Sequence, residues 1–294
     1  MDERFATSDA ILAKDESPTL SSGTQFGRYD ILCPLGSGGM GEVYRARDTH
    51  LGRDLAIKIL SRKLSAKKQD FERFEREARS ASALNHPNIV TIFELGQVDS
   101  TYYIAMELVE GEGLRDMLSA GSIPLQRAIP IATQTAEGLA KAHEAGVVHR
   151  DLKPENLMVS RDGFVKILDF GLAKLVRSDS NQPLDRGTIE ISQTLPGTVM
   201  GTVEYMSPEQ ASGLPLDFRS DQFSFGLILY EMVTGKRTFR RHSHAETLAA
   251  ILRDDPETSG ILKPPSTRSA LLDHRTLPRQ ESQGSLFLYP RTDP

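Results

Sequence analysis

Apolar positions fall in short runs over the first third of the chain and in longer helical periods after it. RYDILCPLG ends in a glycine, EVYRARD alternates apolar with polar, and DLAIKIL is nearly continuous in apolar residues. Alternation of period two marks a half-buried strand, and a short unbroken run marks a strand covered on both faces. NIVTIFELG and TYYIAMELV read as two further strands, giving five before residue 110. Between them QDFERFEREARSASAL has the helical period, with Phe71, Phe74, Ala78, Ala81 and Leu84 on one stripe. Glu72 and Glu75 point away from that stripe and stand at i,i+4 from Arg76 and Arg79. Glu77 falls inside it and is the one acid out of place.

After GEGL the pattern turns helical. LQRAIPIATQTAEGLAKAHEAG predicts a long amphipathic helix stopping at Gly146. Two short strands follow around LMV and FVKIL, then a Ser/Thr/Gly/Pro-rich loop from Lys174 to Met200. SDQFSFGLILYEMVTG predicts a buried helix ended by Gly235, and AETLAAILRD a last one. No internal repeat is visible. The organisation expected is a polar, flexible arm over 1–26, a β-rich lobe over 27–110, a helical lobe over 111–256 and an irregular tail over 257–294.

Bulk properties narrow the class. The 294 residues suffice for two small lobes with real cores. The net charge of −5 argues against a dedicated nucleic-acid binder. A single cysteine, Cys33, excludes an internal disulfide and a thiolate zinc site, and reads as a small packing residue. The N-terminus opens on charges with no apolar core for a signal peptide. The most apolar helix-length segment, FSFGLILYEMV, carries Glu231 and falls short of a membrane span. The chain reads as soluble and cytoplasmic.

Four stretches carry candidate chemistry. In LGSGGMGEV, Gly36, Gly38 and Gly41 have G-x-G-x-x-G spacing. A dinucleotide site needs a helix to open on the glycines, whereas here a strand pattern follows. The better reading is a hairpin whose backbone amides approach phosphates with no side chain in the way; standing alone, an ordinary glycine hairpin fits too. Lys58 lies in an apolar strand, and a buried ammonium needs a charged partner. Glu77 is the natural candidate; the alternative is two snorkelling side chains, with Glu77 paired to Arg73. VVHRDLKPENLMV packs His149, Arg150, Asp151, Lys153 and Asn156 between apolar brackets. LDFGLA sets Asp169 at the end of an apolar strand, where a carboxylate suits a hard cation or simply ends a turn. HSH at His242–His244 offers no third ligand nearby and is not a metal site.

Taken together, GSGGMGEV, AIK, HRDLKPEN, DFG and SPEQ resemble the protein kinases, and within them the eukaryote-like serine/threonine kinases of bacteria, over roughly Gly27 to Asp254. The resemblance implies an α+β, two-lobed fold: a five-stranded N-lobe with one main helix, and a mostly helical C-lobe. It implies ATP and Mg2+ as cofactors and protein substrates with Ser/Thr acceptors. Asp151 would take the hydroxyl proton, Lys153 would face the γ-phosphate, and Asn156 and Asp169 would hold the metal. Lys58, steadied by Glu77, would contact the α- and β-phosphates. The glycine lid would be Leu35, Gly36, Ser37, Gly38, Gly39, Met40 and Gly41. Adenine would meet Glu107 and Val109, with Met106 behind it and Val43 and Ala56 covering its faces. Lys153, two residues after Asp151, resembles the serine/threonine branch, with Thr202 helping to select the acceptor. His149 would be a packing residue.

By the same resemblance Arg150 would bind an activation-loop phosphate, with Thr188, Ser192, Thr194 and Thr198 as candidate sites, Thr194 or Thr198 foremost. A homodimer through the N-lobe follows from family analogy alone. The tail departs from the family: Pro264, Pro265, Pro278, Pro290 and Pro294 break any long helix. It resembles a truncated or frame-shifted end, so the C-lobe is expected to be incomplete. Glu209 of SPEQ would lack its usual Arg partner unless Arg268, Arg275 or Arg279 substitutes. The alternative function is then a catalytically impaired module that binds nucleotide or a partner.

Overall fold

The structure, a computed structural model, describes residues 20–38, 41–60, 75–76, 78–170 and 202–256. Its first lobe is an antiparallel sheet built from β1 (Gln25–Phe26), β2 (Tyr29–Gly38), β3 (Gly41–Asp48), β4 (Arg53–Leu60), β5 (Ile92–Val98) and β6 (Thr101–Met106). The spatial order is β1-β2-β3-β4-β6-β5. Five of these are the strands the periodicity predicts. The sixth, β1, has two residues, too few for any period to show. It falls within the segment expected to be a loose arm, yet Phe26 is buried and the Leu20 N–H donates to the Tyr44 hydroxyl at 2.9 Å. The sheet lobe thus starts before residue 27.

Alternation along β4 decides what faces the second lobe. Leu55, Ile57 and Ile59 join Tyr29, Ile31, Tyr44 and Tyr103 in one core. Ala56, Lys58 and Leu60 fall on the opposite face, as period two requires. Both faces are covered, which is why DLAIKIL reads as an almost continuous apolar run, interrupted only at Lys58 after its opening Asp54. Residues 78–82 are helical, with Ala78, Ala81 and Leu84 buried as the stripe predicts and Arg79 paired with Glu75 at 2.6 Å. Phe71, Phe74 and Glu77 lie outside the described residues.

The second lobe holds a three-stranded sheet, β7 (Gly111–Gly113), β8 (Leu157–Ser160) and β9 (Val165–Ile167). Its helices are α1 (Leu114–Ser119), α2 (Leu125–Glu144), α3 (Pro208–Ala211), α4 (Phe218–Thr234) and α5 (His244–Arg253). α2, α4 and α5 are the predicted helices; β7 and α1 are too short to have shown a period. Gly146 (φ 74°) follows α2, and Gly235 (φ 70°) caps α4 in the left-handed region. The buried stripe of α4 runs Ser220, Asp221, Ser224, Leu227, Ile228, Glu231, Met232. Two carboxylates inside an apolar stripe need partners, and both have them. The core of this lobe also takes in Ala81, Leu84 and Ile89 from the chain before β5. It is tied to the first lobe's chain by reciprocal backbone bonds, Val90 N–H to Ile167 C=O at 3.0 Å and Ile167 N–H to Asn88 C=O at 2.9 Å.

The tail expectation is only partly testable. Residues 257–294, with Arg268, Arg275 and Arg279, lie outside the described residues. Half-buried Glu209 accepts a hydrogen bond from the Ser220 hydroxyl at 2.7 Å, so its carboxylate is engaged within the lobe.

Candidate active site

The glycine run is the β2–β3 hairpin, not a helix start. Its register pairs Gly36 with Val43, Ser37 with Glu42 and Gly38 with Gly41. Gly39 and Met40 lie outside the described residues. Gly41 has φ 136°, and a Cβ there would stand 1.8 Å from the Ile59 carbonyl oxygen. Only glycine lets β3 come this close to β4. Leu35 and Gly36 are exposed at the hairpin's base.

Behind the hairpin the expected adenine-covering residues do converge. Ala56, Val90 and Met106 form one buried cluster, with Val43, Leu108, Val109 and Leu168 packed on it. Val90, Leu108 and Leu168 were not expected there; each sits in an apolar pair whose facing the sequence leaves open. Met106 also borders a narrow recess with Ile104, Val90 and Phe170. The Glu107 side chain turns to Lys166 at 2.7 Å, and its backbone N–H is taken up by the Thr91 carbonyl at 2.9 Å.

Lys58 is 5% exposed and donates to Asp169 Oδ2 at 2.7 Å. Burial alone would push the Asp169 carboxyl up, but the Lys58 ammonium, with Lys153 also near, holds it below the usual carboxylate range. The sequence offers Glu77 as the partner of Lys58; the described partner is Asp169. Asp169 itself has φ 59°, a left-handed conformation uncommon outside glycine, as does neighbouring Arg150 at φ 64°. Such conformations persist where the surroundings over-determine them.

The surroundings of the catalytic-loop candidates do so. Lys153 Nζ donates to Asp151 Oδ2 at 2.7 Å, and Asn156 Nδ2 donates to the Asp151 carbonyl at 2.8 Å. The Leu168 N–H donates to the Asn156 carbonyl at 2.9 Å, joining the loop to the strand that ends at Asp169. His149 is fully buried, 4.8 Å from the Phe170 ring centre. Its Nδ1 accepts the Asp151 N–H at 3.3 Å, so Nε2 carries the proton and donates to the Leu168 carbonyl at 2.8 Å. That is a packing and tethering role, as expected.

Asp221 is the residue sequence reading missed. From α4 its Oδ2 accepts the His149 N–H at 2.7 Å and its Oδ1 accepts the Arg150 N–H at 2.8 Å; His143 Nε2 lies 2.7 Å from Oδ2. Burial would raise this carboxyl, yet His143 and the two amides hold it below the usual range. The signal was available: an acid stranded in an apolar helical stripe, the same argument that singles out Glu77.

Asn156 and Asp169 are hard oxygen donors on adjacent backbone. Since the Asn156 amide nitrogen is spent on Asp151, its oxygen is the atom left for a cation. Among the described residues no group of three or more His, Cys, Asp or Glu could hold a metal unaided. That donor set suits Mg2+, which takes one or two protein oxygens and fills its shell from phosphates and water.

A family model described as the protein kinase domain matches residues 29–278, past Asp254, where the motif resemblance stops. The serine/threonine-protein kinase pkn2 of Myxococcus xanthus is 46% identical over 216 residues, 72% of this chain and 25% of that protein. The pkn3 kinase of the same organism is 42% identical over 248 residues, 82% of this chain and 42% of that protein. PknB of Mycobacterium leprae is 40% identical over 234 residues, 78% and 36%. Among solved structures, a double mutant of the PknI kinase domain of Mycobacterium tuberculosis superposes with a TM-score of 0.59 at 27% identity, covering 74% of this chain and 80% of that one. The chain belongs to the protein kinase family. It is similar to the serine/threonine kinases of bacteria, and it spans between a quarter and about two fifths of the curated relatives just described. No helix among the described residues is long and apolar enough to cross a membrane.

Proposed function

We propose that this chain is an ATP-dependent serine/threonine protein kinase that works in the cytoplasm on protein substrates. The observation that carries the reading is the pairing of Lys58 with Asp169 and of Lys153 with Asp151 about one cleft. Two lysines and two carboxylates held this way can position a polyphosphate and neutralise the charge that builds as a phosphoryl group moves. Transfer of this kind needs positioning and electrostatics more than covalent chemistry.

In this reading the acceptor hydroxyl oxygen bonds to the γ-phosphorus as the bond from that phosphorus to the β–γ bridging oxygen breaks and ADP leaves. Asp151 accepts the hydroxyl proton. Lys153 faces the transferring group, and Lys58 the α- and β-phosphates. The Val43, Ala56, Met106 and Val109 surface covers adenine, and the Leu35–Gly41 hairpin closes over the phosphates. Mg2+, held by Asn156 and Asp169, would neutralise phosphate charge. Asp221 sets the loop's geometry through two consecutive amides. Thr202 and the activation-loop hydroxyls Thr188, Ser192, Thr194 and Thr198 are outside what the structure describes in side-chain detail; autophosphorylation at Thr194 or Thr198 stays part of the proposal.

The test is incubation of the purified chain with magnesium-ATP and a mixed Ser/Thr/Tyr peptide set, with Asp151→Ala as control. Phosphoserine or phosphothreonine that vanishes in the control supports the reading. Product confined to tyrosine, or product equal in the control, overturns it.

A further inference from the structure

Residues 20–24 read LSSGT, a mostly polar run with no period and no chemistry of its own. They are nevertheless bound to both strands of the glycine hairpin. On the β2 side the Gly23 N–H donates to the Ile31 carbonyl at 2.8 Å, and the Ile31 N–H donates back to the Thr24 carbonyl at 2.9 Å. The Ser22 hydroxyl donates to the Leu32 carbonyl at 2.6 Å. On the β3 side the Leu20 N–H donates to the Tyr44 hydroxyl at 2.9 Å, and the Leu20 side chain packs on the core that holds Tyr44. Leu32 stands three positions before Leu35, where the glycine run opens, and Tyr44 three positions after Gly41, where it closes.

The stem of the hairpin needs such a hold. Its register steps from Ile31 to Cys33 and from Pro34 to Gly36 on β2 against single steps on β3, which leaves bulges at Leu32 and Leu35. A bulge interrupts the ladder and bends its strand, so pairing with β3 alone fixes the angle of the hairpin poorly. Ser22 binds the carbonyl of the first bulge. Tyr44 carries the constraint onward. A phenol has one proton to give and lone pairs to receive with; here the proton goes to the Glu42 carboxylate and a lone pair takes the Leu20 N–H. Glu42 stands opposite Ser37 within the hairpin itself.

This relay reaches the hairpin from the side of the sheet away from adenine. Tyr44 is 1% exposed and lies in the core formed with Tyr29, Ile31 and Ile57, whereas its neighbour Val43 packs on the Ala56 and Met106 cluster. Consecutive residues of a strand face opposite ways, so Tyr44 acts on the lid without contacting what the lid covers.

We propose, on the kinase reading above, that residues 20–24 are a strap that sets how the glycine hairpin lies over the phosphates of the nucleotide, with Tyr44 the positioning residue through which they act. Two substitutions in the full chain cut the relay at adjacent atoms. Leu20→Pro removes the N–H, and Leu20→Ala, which keeps it, controls for lost packing. Tyr44→Phe removes the hydroxyl and keeps the ring in the core. Calorimetric titration with magnesium-ATP should give an affinity about threefold to tenfold lower in Leu20→Pro and in Tyr44→Phe, the scale of one net hydrogen bond. Adenosine has no phosphate for the hairpin to cover, so each variant should bind it as the parent does, which also certifies that the variant is folded. Leu20→Pro/Tyr44→Phe should be no weaker for ATP than Tyr44→Phe, because both changes break one chain of bonds. An unchanged ATP affinity in Tyr44→Phe would overturn the proposal. So would an equal loss for adenosine, which would make Tyr44 a general support of the sheet, an equal ATP loss in Leu20→Ala and Leu20→Pro, or losses that add in the double variant. The kinase reading is judged apart from all of these, by whether the parent phosphorylates peptide and Asp151→Ala does not.

Discussion

Lys58 and Asp169 stand 111 positions apart in the chain and 2.7 Å apart in space. One comes from the second half of β4 and the other from the residue pair after β9, so their contact records that the two lobes share one cleft. Lys58→Met keeps the length and burial of the side chain and removes the charge. We expect phosphoryl transfer to fall by about a hundredfold or more, on the scale of losing one electrostatic group aimed at developing charge. The Asp169 carboxyl, relieved of the ammonium that offsets its burial, should titrate higher than in the parent protein. Carboxyl-carbon NMR across an acid titration reads that shift directly, and an unchanged titration would show that the pair does not set it.

Gly41 and Gly36 share a motif and are predicted to behave differently. A Cβ at Gly41 meets the Ile59 carbonyl at 1.8 Å with φ in the left-handed half of the map, whereas one at Gly36 meets nothing within 4 Å. Gly41→Ala should therefore cost about 2–4 kcal/mol, from strain and a forced separation of β3 from β4. Gly36→Ala should stay within about 0.5 kcal/mol. Urea melts of the two variants check the contrast, and equal midpoints would contradict it.

How much of this was legible in the sequence depends on length and on facing. β2 to β6, α2, α4 and α5 each carry enough residues to express a period, and each was readable. β1, β7 and α1 span two, three and six residues, where no period can be counted. The site residues in HRDLKPEN and DFG were legible because their types make no sense as core or as loop. Asp221, Glu231 and Arg115 were not found, although two of them are acids inside an apolar stripe. An acid stranded in such a stripe, as Glu77 also is in the sequence, is marked only as needing a partner; nothing in the stripe says that the partner of Asp221 is the catalytic loop. The partner of Lys58 was open for a related reason: an isolated buried ammonium demands an acid, but the demand does not say which acid the fold will bring.

Asp221 makes a pH prediction whose sign can be worked out. Its carboxyl is held below the usual range in the folded chain. A group depressed on folding contributes stability that is present above its unfolded value, about 4 for a carboxylate. That contribution is lost as pH falls through the lower folded value. The parent protein should accordingly keep the Asp221 contribution at neutral pH and lose it only in strong acid. Asp221→Asn, which leaves a neutral acceptor facing two amides and His143, should be less stable by about 3 kcal/mol at pH 7. The gap should narrow as pH drops below about 4. Thermal melts of both proteins from pH 7 to pH 3 check this. A gap constant across that range would remove the charge of Asp221 from the account.

The pair Arg115 and Glu231 supports a last prediction, because here a single substitution and a double one should differ in kind. Glu231 has a side chain only 5% exposed, and Arg115 is its closest cation at 2.8 Å. Burial would lower the Arg115 guanidinium, but Glu231 and the Tyr205 hydroxyl outweigh that and raise it; the Tyr205 hydroxyl is itself pushed up by burial and by Glu231. Arg115→Met leaves a buried carboxylate with Arg237 at 3.3 Å as its remaining cation, and such half-broken pairs cost about 3–5 kcal/mol. Glu231→Met alone strands the guanidinium, which keeps Glu155 and is 22% exposed, so it should cost less. The double variant Arg115→Met/Glu231→Met removes both charges and fills the space with thioethers. It should recover a large part of the loss, giving a coupling energy of about 1–3 kcal/mol in a double-mutant cycle. If the single costs simply add, the two residues are held by their separate surroundings and the bridge between them contributes nothing of its own.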